Sequence, residues 1–466
     1  ATLLVDPMAP GVTEILQASE VAESPLGRVP KQNPDRTVSS EGRPINDMRR
    51  QNEQGSKFNH PPAPQPRHAA VARQSLWWAA RHPGIPQRCA KRDVPRAFKW
   101  HFLRPRDVPE FAVRLAGVLL ISLVMPFGWV GAPGEFVAWS MAARSHHGSH
   151  CPPEPGFNDV VAYDSKWLMD DGVVLEPLVG NRVYHSLKCL DHTMVSVWGP
   201  QGVNVEKMAE EGEPSRCQLL WGLHMDFETQ LVSLPEPKRI KAKYLLSDAS
   251  LLRGETRLPL RLAQEVTGSA QYWSVVCPEL SPHLPALYAL LKPHKGTPSP
   301  LFLGDDPPST KYVETPPGSS DWDAFWDTLD FIRLQFERPV TTSFQAAFEK
   351  LLPIRERLAL PGVSARVRIT GGDATLDRIG ALDWKAKRYM LEEVTDALAS
   401  MREHLLVEAE EEIIALNELL CFLLLAVARK AEWKGELVLY VTDNQNVRSW
   451  LLKRRPRPKT ARQLIL

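Results

Sequence analysis

The run Trp167-Leu168-Met169-Asp170-Asp171-Gly172-Val173-Val174 constrains the fold more than any other stretch of this chain. Two adjacent aspartates sit between apolar residues and are followed by glycine and a second apolar pair. A strand, tight turn, strand hairpin fits that pattern. It pushes two carboxylates out of a hydrophobic sheet at one point. Such a cluster is costly unless a divalent cation neutralises it. An ordinary Asp-Gly turn is the competing reading, so other parts of the chain must decide.

The 466 residues allow about three domains at roughly 150 residues each. A net charge of +1 gives no global basic field, so a polyanionic partner would need local basic clusters. Two stand out: Lys238-Arg239-Ile240-Lys241-Ala242-Lys243, and Lys453-Arg454-Arg455-Pro456-Arg457-Pro458-Lys459. The six cysteines are scattered without a C-x-x-C pair, which argues against a disulfide framework and for a reducing, intracellular setting, cytoplasmic or nuclear. His146, His147, His150 and Cys151 suggest a zinc cluster, but no second ligand pair follows at finger spacing, so no metal is expected there. Leu115 to Ala132 is apolar but carries Pro126 and several glycines, so a buried strand and loop is expected rather than a membrane span. The chain starts on Ala1 and stops at Leu466 just past a basic segment; both ends are expected to be cuts in a longer reading frame.

Residues 1–30 read as a flexible lead-in, and residues 31–235 as mixed α+β structure. Leu258 to Val266 and Pro285 to Lys292 place leucines three and four apart, as helices do. Thr297-Pro298-Ser299-Pro300 and Thr315-Pro316-Pro317-Gly318 mark residues 293–320 as a linker candidate. Val363 to Thr370 alternates as a strand, Gly380 to Trp384 starts another, and Tyr389 to Leu425 has a helical pattern. Glu436 to Thr442 is a buried strand ending in Asp443.

Two constellations carry chemistry. Asp93, in Lys91-Arg92-Asp93-Val94-Pro95-Arg96-Ala97-Phe98, suits a carboxylate at a strand end. If its strand pairs with the Asp170-Asp171 hairpin, three carboxylates can hold two Mg²⁺ ions about 3.5–4 Å apart. Between them, the glycines of Pro126-Phe127-Gly128-Trp129-Val130-Gly131 let backbone approach a ligand. The second constellation is Asp373 at a strand end, Glu418 in a helix and Asp443 at another strand end, a set that can share a metal pair.

These residues resemble reverse transcriptases. Asp93 with Ala97-Phe98, the Pro126-Phe127-Gly128 loop, Met169-Asp170-Asp171, Asn204 to Lys207 and Trp221-Gly222-Leu223 follow the order of that family's motifs, and Arg43 to Asn52 looks like its fingers motif. The likeness is to pol polyproteins of gypsy-like or DIRS-like retroelements, and the C-terminal trio resembles ribonuclease H. The resemblance implies an α+β right-hand polymerase followed by a ribonuclease H-like α/β domain. Fingers and palm would span 31–235, thumb 236–300, connection 301–365 and a truncated ribonuclease H-like domain 366–466. It implies that Asp93, Asp170 and Asp171 bind Mg²⁺ or Mn²⁺ and that Lys207 protonates pyrophosphate. Phe98 would exclude a 2′-hydroxyl, Arg43 would meet the triphosphate, and Phe127 and Gly128 would bear on substrate. Asp373, Glu418 and Asp443 would bind metal for hydrolysis, with the family's last catalytic residue beyond this chain's end. The implied partners are an RNA or DNA template-primer, an RNA–DNA hybrid and dNTPs, and no membrane. Leu168 departs from the family's aromatic and Arg96 from its small or acidic residue; Lys99 and Arg114 take no role. The alternative is an inactive retroelement remnant that only binds nucleic acid.

Overall fold

The computed structural model describes residues 2–5, 23–33, 37–153, 159–255, 257–291, 311–316, 318–348, 367–394, 410–434 and 436–453. The protein mixes helix and sheet in two units, residues 1–231 and 232–466.

In the first unit, β1 (Thr2–Val5), β2 (Leu26–Gln32) and β3 (Val38–Asn46) precede helices α1 (Arg49–Gln54) and α2 (His68–Arg81). Then come β4 (Gln87–Asp93), β5 (Ala112–Leu115), β6 (Val118–Ser122) and α3 (Ala132–Gly148). They are followed by β7 (Lys166–Leu168), β8 (Asp171–Pro177), α4 (Arg182–Trp198), α5 (Val205–Glu211), β9 (Cys217–Leu220) and β10 (Leu223–Asp226). The central sheet is antiparallel in the order β4-β8-β7. On β8, Val173, Val174 and Leu175 are all buried although successive side chains alternate faces, so both faces are covered. Helices α2 and α4 pack on this strand. The α4 stripe Val183, Leu187, Leu190, Met194 and Trp198, spaced three and four apart, joins Val174, Trp167 and Phe136 in one core. Gly199, at φ +82, ends α4 in the left-handed region that glycine accepts without strain.

Buried charge in this core is paired. The Arg182 guanidinium donates to Glu176 at 2.6 Å and to the Val161 carbonyl at 2.7 Å, and it lies 4.7 Å from the Trp78 ring. Removing one partner would leave an uncompensated charge inside, at about 3–5 kcal/mol.

The apolar run around Leu115 forms strands, as expected: β6 pairs with β5 and β1. No helix among the described residues is long and apolar enough to cross a membrane. The lead-in reading of 1–30 does not hold for its described residues. Thr2–Val5 pairs with Val118–Ser122, and Leu26–Gln32 pairs with Val38–Asn46. Apolar Leu3-Leu4-Val5 satisfies its backbone on an existing strand, a long-range gain that local composition does not display.

The second unit opens with helices α6 (Glu236–Leu246), α7 (Leu260–Trp273), α8 (Leu284–Leu290) and α9 (Ser320–Phe336). Helix α9 falls in the segment read as a connection, yet it packs on α6 and α8 through buried Trp322, Phe325, Trp326, Leu329, Ile332 and Phe336. The Thr297 to Pro300 stretch lies outside the described residues.

Strands β11 (Val367–Ala374), β12 (Arg378–Asp383) and β13 (Arg388–Glu393) follow, then α10 (Glu410–Trp433), β14 (Leu437–Val441) and α11 (Gln445–Lys453). Their sheet runs β13-β12-β11-β14, with β14 parallel to β11 and the other pairs antiparallel. The helix expected from Tyr389 is corrected here: Arg388–Glu393 is an exposed edge strand paired with β12, and helix is described only from Glu410. Residues 389–393 lack an alternating apolar face because little of this strand is covered, so periodicity could not identify it.

Two candidate acidic sites

The Asp-Asp hairpin forms, but its turn lies two residues earlier than an Asp171-Gly172 turn. Leu168 pairs with Asp171 and Trp167 with Gly172, leaving Met169 and Asp170 as the turn. Met169 sits at φ +55, a costly conformation for a non-glycine residue. The surroundings hold it there: Met169 N donates to Gln65 Oε1 at 3.1 Å and Ser140 Oγ donates to the Met169 carbonyl at 2.8 Å. Gly172 is needed for a different reason. A Cβ there would stand 2.9 Å from the Trp167 ring.

The two aspartate motifs converge. Asp93 ends β4 directly opposite Asp171, and Val94 N donates to the Asp170 carbonyl at 3.1 Å. Lys207 Nζ donates to Asp93 Oδ1 at 2.6 Å, and Asn204 Nδ2 donates to Asp93 Oδ2 at 2.9 Å. Asn204 also caps α5, accepting from Lys207 N at 3.3 Å, so one residue sets the helix start and steadies the carboxylate. Burial raises the Asp170 carboxyl above its ordinary range, and the charge of Asp93 adds to this. Burial, then the charges of Asp170 and Asp93, push Asp171 up to about 6. Burial works against the Lys207 ammonium, but its hydrogen bond to Asp93 and the nearby carboxylates outweigh it and raise its pKa.

A cavity of about 800 Å³ opens here, lined by Asp93, Asp170, Asn204 and Lys207 together with Phe98 and Phe127. Asp171 is not among its lining residues. The Phe98 ring is half-buried, 5.8 Å from Phe127 and 5.5 Å from Phe136. Gly128, at φ +96, is clamped by Asn52: its carbonyl accepts from Asn52 Nδ2 at 3.0 Å, and Val130 N donates to Asn52 Oδ1 at 2.7 Å. Arg43 is on β3 opposite Val29, and its side chain lies outside the described residues. Sequence reasoning gave no role to Arg96 and Lys99, which line the same cavity. Arg96 takes φ +59 at the start of the Ala97–Trp100 turn, a placement that residue type does not announce.

The second site closes more tightly. Asp373 on β11, Glu418 on α10 and Asp443 after β14 each offer an oxygen, all within 4.8 Å of one another. Among the described residues, no other trio of potential ligands meets that closeness, Asp93, Asp170 and Asp171 included. Glu418 is buried, only 3% exposed. Thr442 Oγ1 donates to one of its oxygens at 2.7 Å and Asn444 Nδ2 to the other at 3.1 Å. Burial raises the Glu418 carboxyl, with Asp443 and Asp373 adding repulsion against those two hydrogen bonds. No lysine or arginine pairs with the trio among the described residues. Three hard oxygen donors, one of them buried and fixed, could hold a divalent cation. Sequence reading found the trio but missed Thr442 and Asn444, whose position beside Asp443 was the available signal.

The basic clusters fare unevenly. On α6, Arg239 is tied to Glu236 at 2.6 Å and Lys238 lies 4.8 Å from the Tyr272 ring, while Lys243 stays exposed. Residues 454–459 lie outside the described residues.

No family model and no curated protein matches this sequence. Among solved structures, the chain is similar to a foamy viral protease-reverse transcriptase in complex with double-stranded DNA. That match has 12% identity and a TM-score of 0.46 over 96% of this chain and 63% of that one. It is also similar to a foamy viral protease-reverse transcriptase with RNA/DNA hybrid, at 12% identity and a TM-score of 0.44 over 99% of this chain and 51% of that one. The chain thus spans less than two thirds of either. At this level of likeness, function must be argued from the geometry of this chain itself.

Proposed function

We propose that this chain is an RNA-directed DNA polymerase, a nucleotidyltransferase that extends a primer with dNTPs on an RNA or DNA template and also carries a ribonuclease H-like acidic site. The observation that carries the reading is the meeting of Asp93 and Asp170 on one cavity wall with Lys207 and Asn204 bonded to Asp93. Mg²⁺ or Mn²⁺ at Asp93 and Asp170 would supply charge neutralisation and a more acidic primer 3′-hydroxyl. Asp171, outside the cavity lining, serves as the carboxylate that backs Asp93. Lys207 stays protonated near the carboxylates and can give its proton to the departing pyrophosphate. Phe98 presents a ring where a 2′-hydroxyl would collide, which selects deoxynucleotides, while exposed Phe127 and the Gly128 backbone bear on base or template. Arg43, on β3, is assigned to the incoming triphosphate. Asp373, Glu418 and Asp443 hold a divalent cation against an RNA–DNA hybrid.

The test is primer extension on an RNA template with Mg²⁺ and dNTPs, with Asp170→Asn alongside. Extension that disappears in the variant supports the polymerase. A second reading, a decayed retroelement copy that only binds nucleic acid, is favoured by the Lys207–Asp93 ion pair, which already neutralises that carboxylate. Hybrid binding without extension in the wild type would select it.

A further inference from the structure

The histidines near residue 146 take no part in the function proposed above, and the fold regroups them. His147 leaves the set: its buried ring stacks on Tyr163 with centroids 5.2 Å apart, and its Nε2 faces the Ser186 carbonyl at 3.0 Å. His192, distant in sequence, joins it, because α3 and α4 pack together. The His146 ring centre stands 4.9 Å from that of His150 and 6.4 Å from that of His192.

Hydrogen bonding has already oriented two of these rings. His150 Nδ1 lies 2.8 Å from the His146 carbonyl and must donate to it, which fixes the tautomer and leaves Nε2 with its lone pair. His146 Nδ1 lies 2.9 Å from Thr193 Oγ1, a fully buried hydroxyl, so that nitrogen is engaged and Nε2 is the one left for a ligand. Ligating imidazoles typically commit their other ring nitrogen to such a carbonyl or polar partner. The loop that carries His150 is anchored too: its N–H donates to the His147 carbonyl at 3.2 Å and its carbonyl accepts from Tyr163 N at 2.9 Å. His192 is exposed, and its ring makes no hydrogen bond among the described residues, so it can turn toward the pair. A tetrahedral ion with metal–nitrogen bonds of about 2.1 Å sets imidazole centres roughly 5 Å apart. The His146–His150 pair meets that spacing, and His192 needs a modest inward swing.

We propose that His146, His150 and His192 form a binding site for a borderline divalent transition metal such as Zn²⁺, with water in the fourth position, tying the end of α3 to α4. Three neutral nitrogens suit Zn²⁺, Ni²⁺ or Cu²⁺ and not the oxygen-seeking Mg²⁺. The site stands apart from both acidic clusters in ligand chemistry, so it does not depend on the polymerase reading.

The test is calorimetric titration of the metal-stripped full chain with Zn²⁺ in excess Mg²⁺, which occupies carboxylate sites. X-ray absorption of the Zn²⁺ complex reports the imidazole count. One equivalent with three imidazoles is expected in the wild type. His150→Ala and His192→Ala, at exposed positions, should weaken it by more than the roughly 10–100-fold that a change behind a ligand costs, and Thr193→Val by about that amount. Asp373→Asn and Asp170→Asn should leave it unchanged. Circular dichroism of each variant checks that folding is intact. No stoichiometric Zn²⁺ in the wild type, wild-type affinity in His192→Ala, or loss in Asp373→Asn would overturn the proposal.

Discussion

The two acidic clusters solve the same electrostatic problem in opposite ways. Around Asp93, the protein supplies its own cation: Lys207 and Asn204 each hold one oxygen, and the neighbouring Asp170 and Asp171 shift toward their protonated forms. Around Glu418, no cation is supplied among the described residues. The buried carboxylate is instead aimed by two neutral donors, Thr442 and Asn444, into a trio whose oxygens lie within 4.8 Å. One cluster is tolerable without metal, whereas the other is arranged as though a cation were to complete it. The first can therefore stay open until a ligand arrives; on the polymerase reading, Lys207 would then move from Asp93 to an incoming phosphate. The second is preorganised.

The strongest break in this comparison is a crossed pair of variants. Asp93→Asn should lower primer extension by roughly 10²–10³-fold or more, the scale of losing a group that acts on transition-state charge. It should leave divalent-ion binding at the C-terminal trio untouched. Asp373→Asn should do the reverse, losing that binding, read by Mn²⁺ titration, with extension intact. Coupled losses in both variants would mean that the two clusters do not act independently.

Next in size is the support behind Glu418. Thr442→Val and Asn444→Ala each free one of its oxygens, and metal affinity at the trio should fall by about 10–100-fold without any effect on extension. The same titration in the two variants checks this, and unchanged affinity would show that Glu418 needs no aiming.

This contrast also marks what could be read from the chain. Asp93, Asp170, Asp373 and Asp443 were legible because carboxylates at strand ends interrupt apolar runs, and Glu418 because it stands among leucines in a helical pattern. Hairpin geometry at Met169-Asp170 was legible to within two residues; in the final register Trp167 lies over Gly172, a contact across the pair. Less accessible were the residues that surround and support the two sites. Thr442, Asn444, Gln65 and Arg96 look ordinary in sequence and gain meaning only when a partner is folded against them. Strand β13 was misread as helix because an exposed edge has no two-sided pattern, and β1 as flexible lead-in because its partner lies over a hundred residues away.

A smaller effect should follow from packing beside Asp373. A Cβ on Gly372 would fall 2.4 Å from both Cys421 Sγ and Tyr440 Oη, and 3.0 Å from the Gly380 carbonyl. Gly372→Ala must push β11 away from α10, at about 1–3 kcal/mol for overpacking. Urea melts should report that loss, and Mn²⁺ affinity at the trio should fall with it. Unaltered melts would mean that Cys421 and Tyr440 yield freely.

The smallest expected effect tests whether the Asp93 cluster is strained without metal. Asp171 is pushed up to about 6, against about 3.9 for an unfolded aspartate. Between those values the folded chain binds more protons than the unfolded one, so stability falls as pH rises from about 4 through 6. Below about 4 both states are protonated and the penalty vanishes; above 6 it is fully present. Its size should be about 1 kcal/mol once screening at this partly exposed site is allowed for. Asp171→Asn keeps the shape and removes the titration. In metal-free urea melts, the variant should match the wild type near pH 4 after a constant offset and gain on it by about 1 kcal/mol at pH 7. Glu418 contributes a slope of the same sign in both proteins, so the difference isolates the Asp170–Asp171 pair. Saturating Mg²⁺ at pH 7 should then close the gap, because a cation at Asp93 and Asp170 relieves the repulsion that the asparagine has already removed. A gap that stays flat with pH would show that Lys207 alone neutralises the cluster and that little strain is left for a metal to relieve.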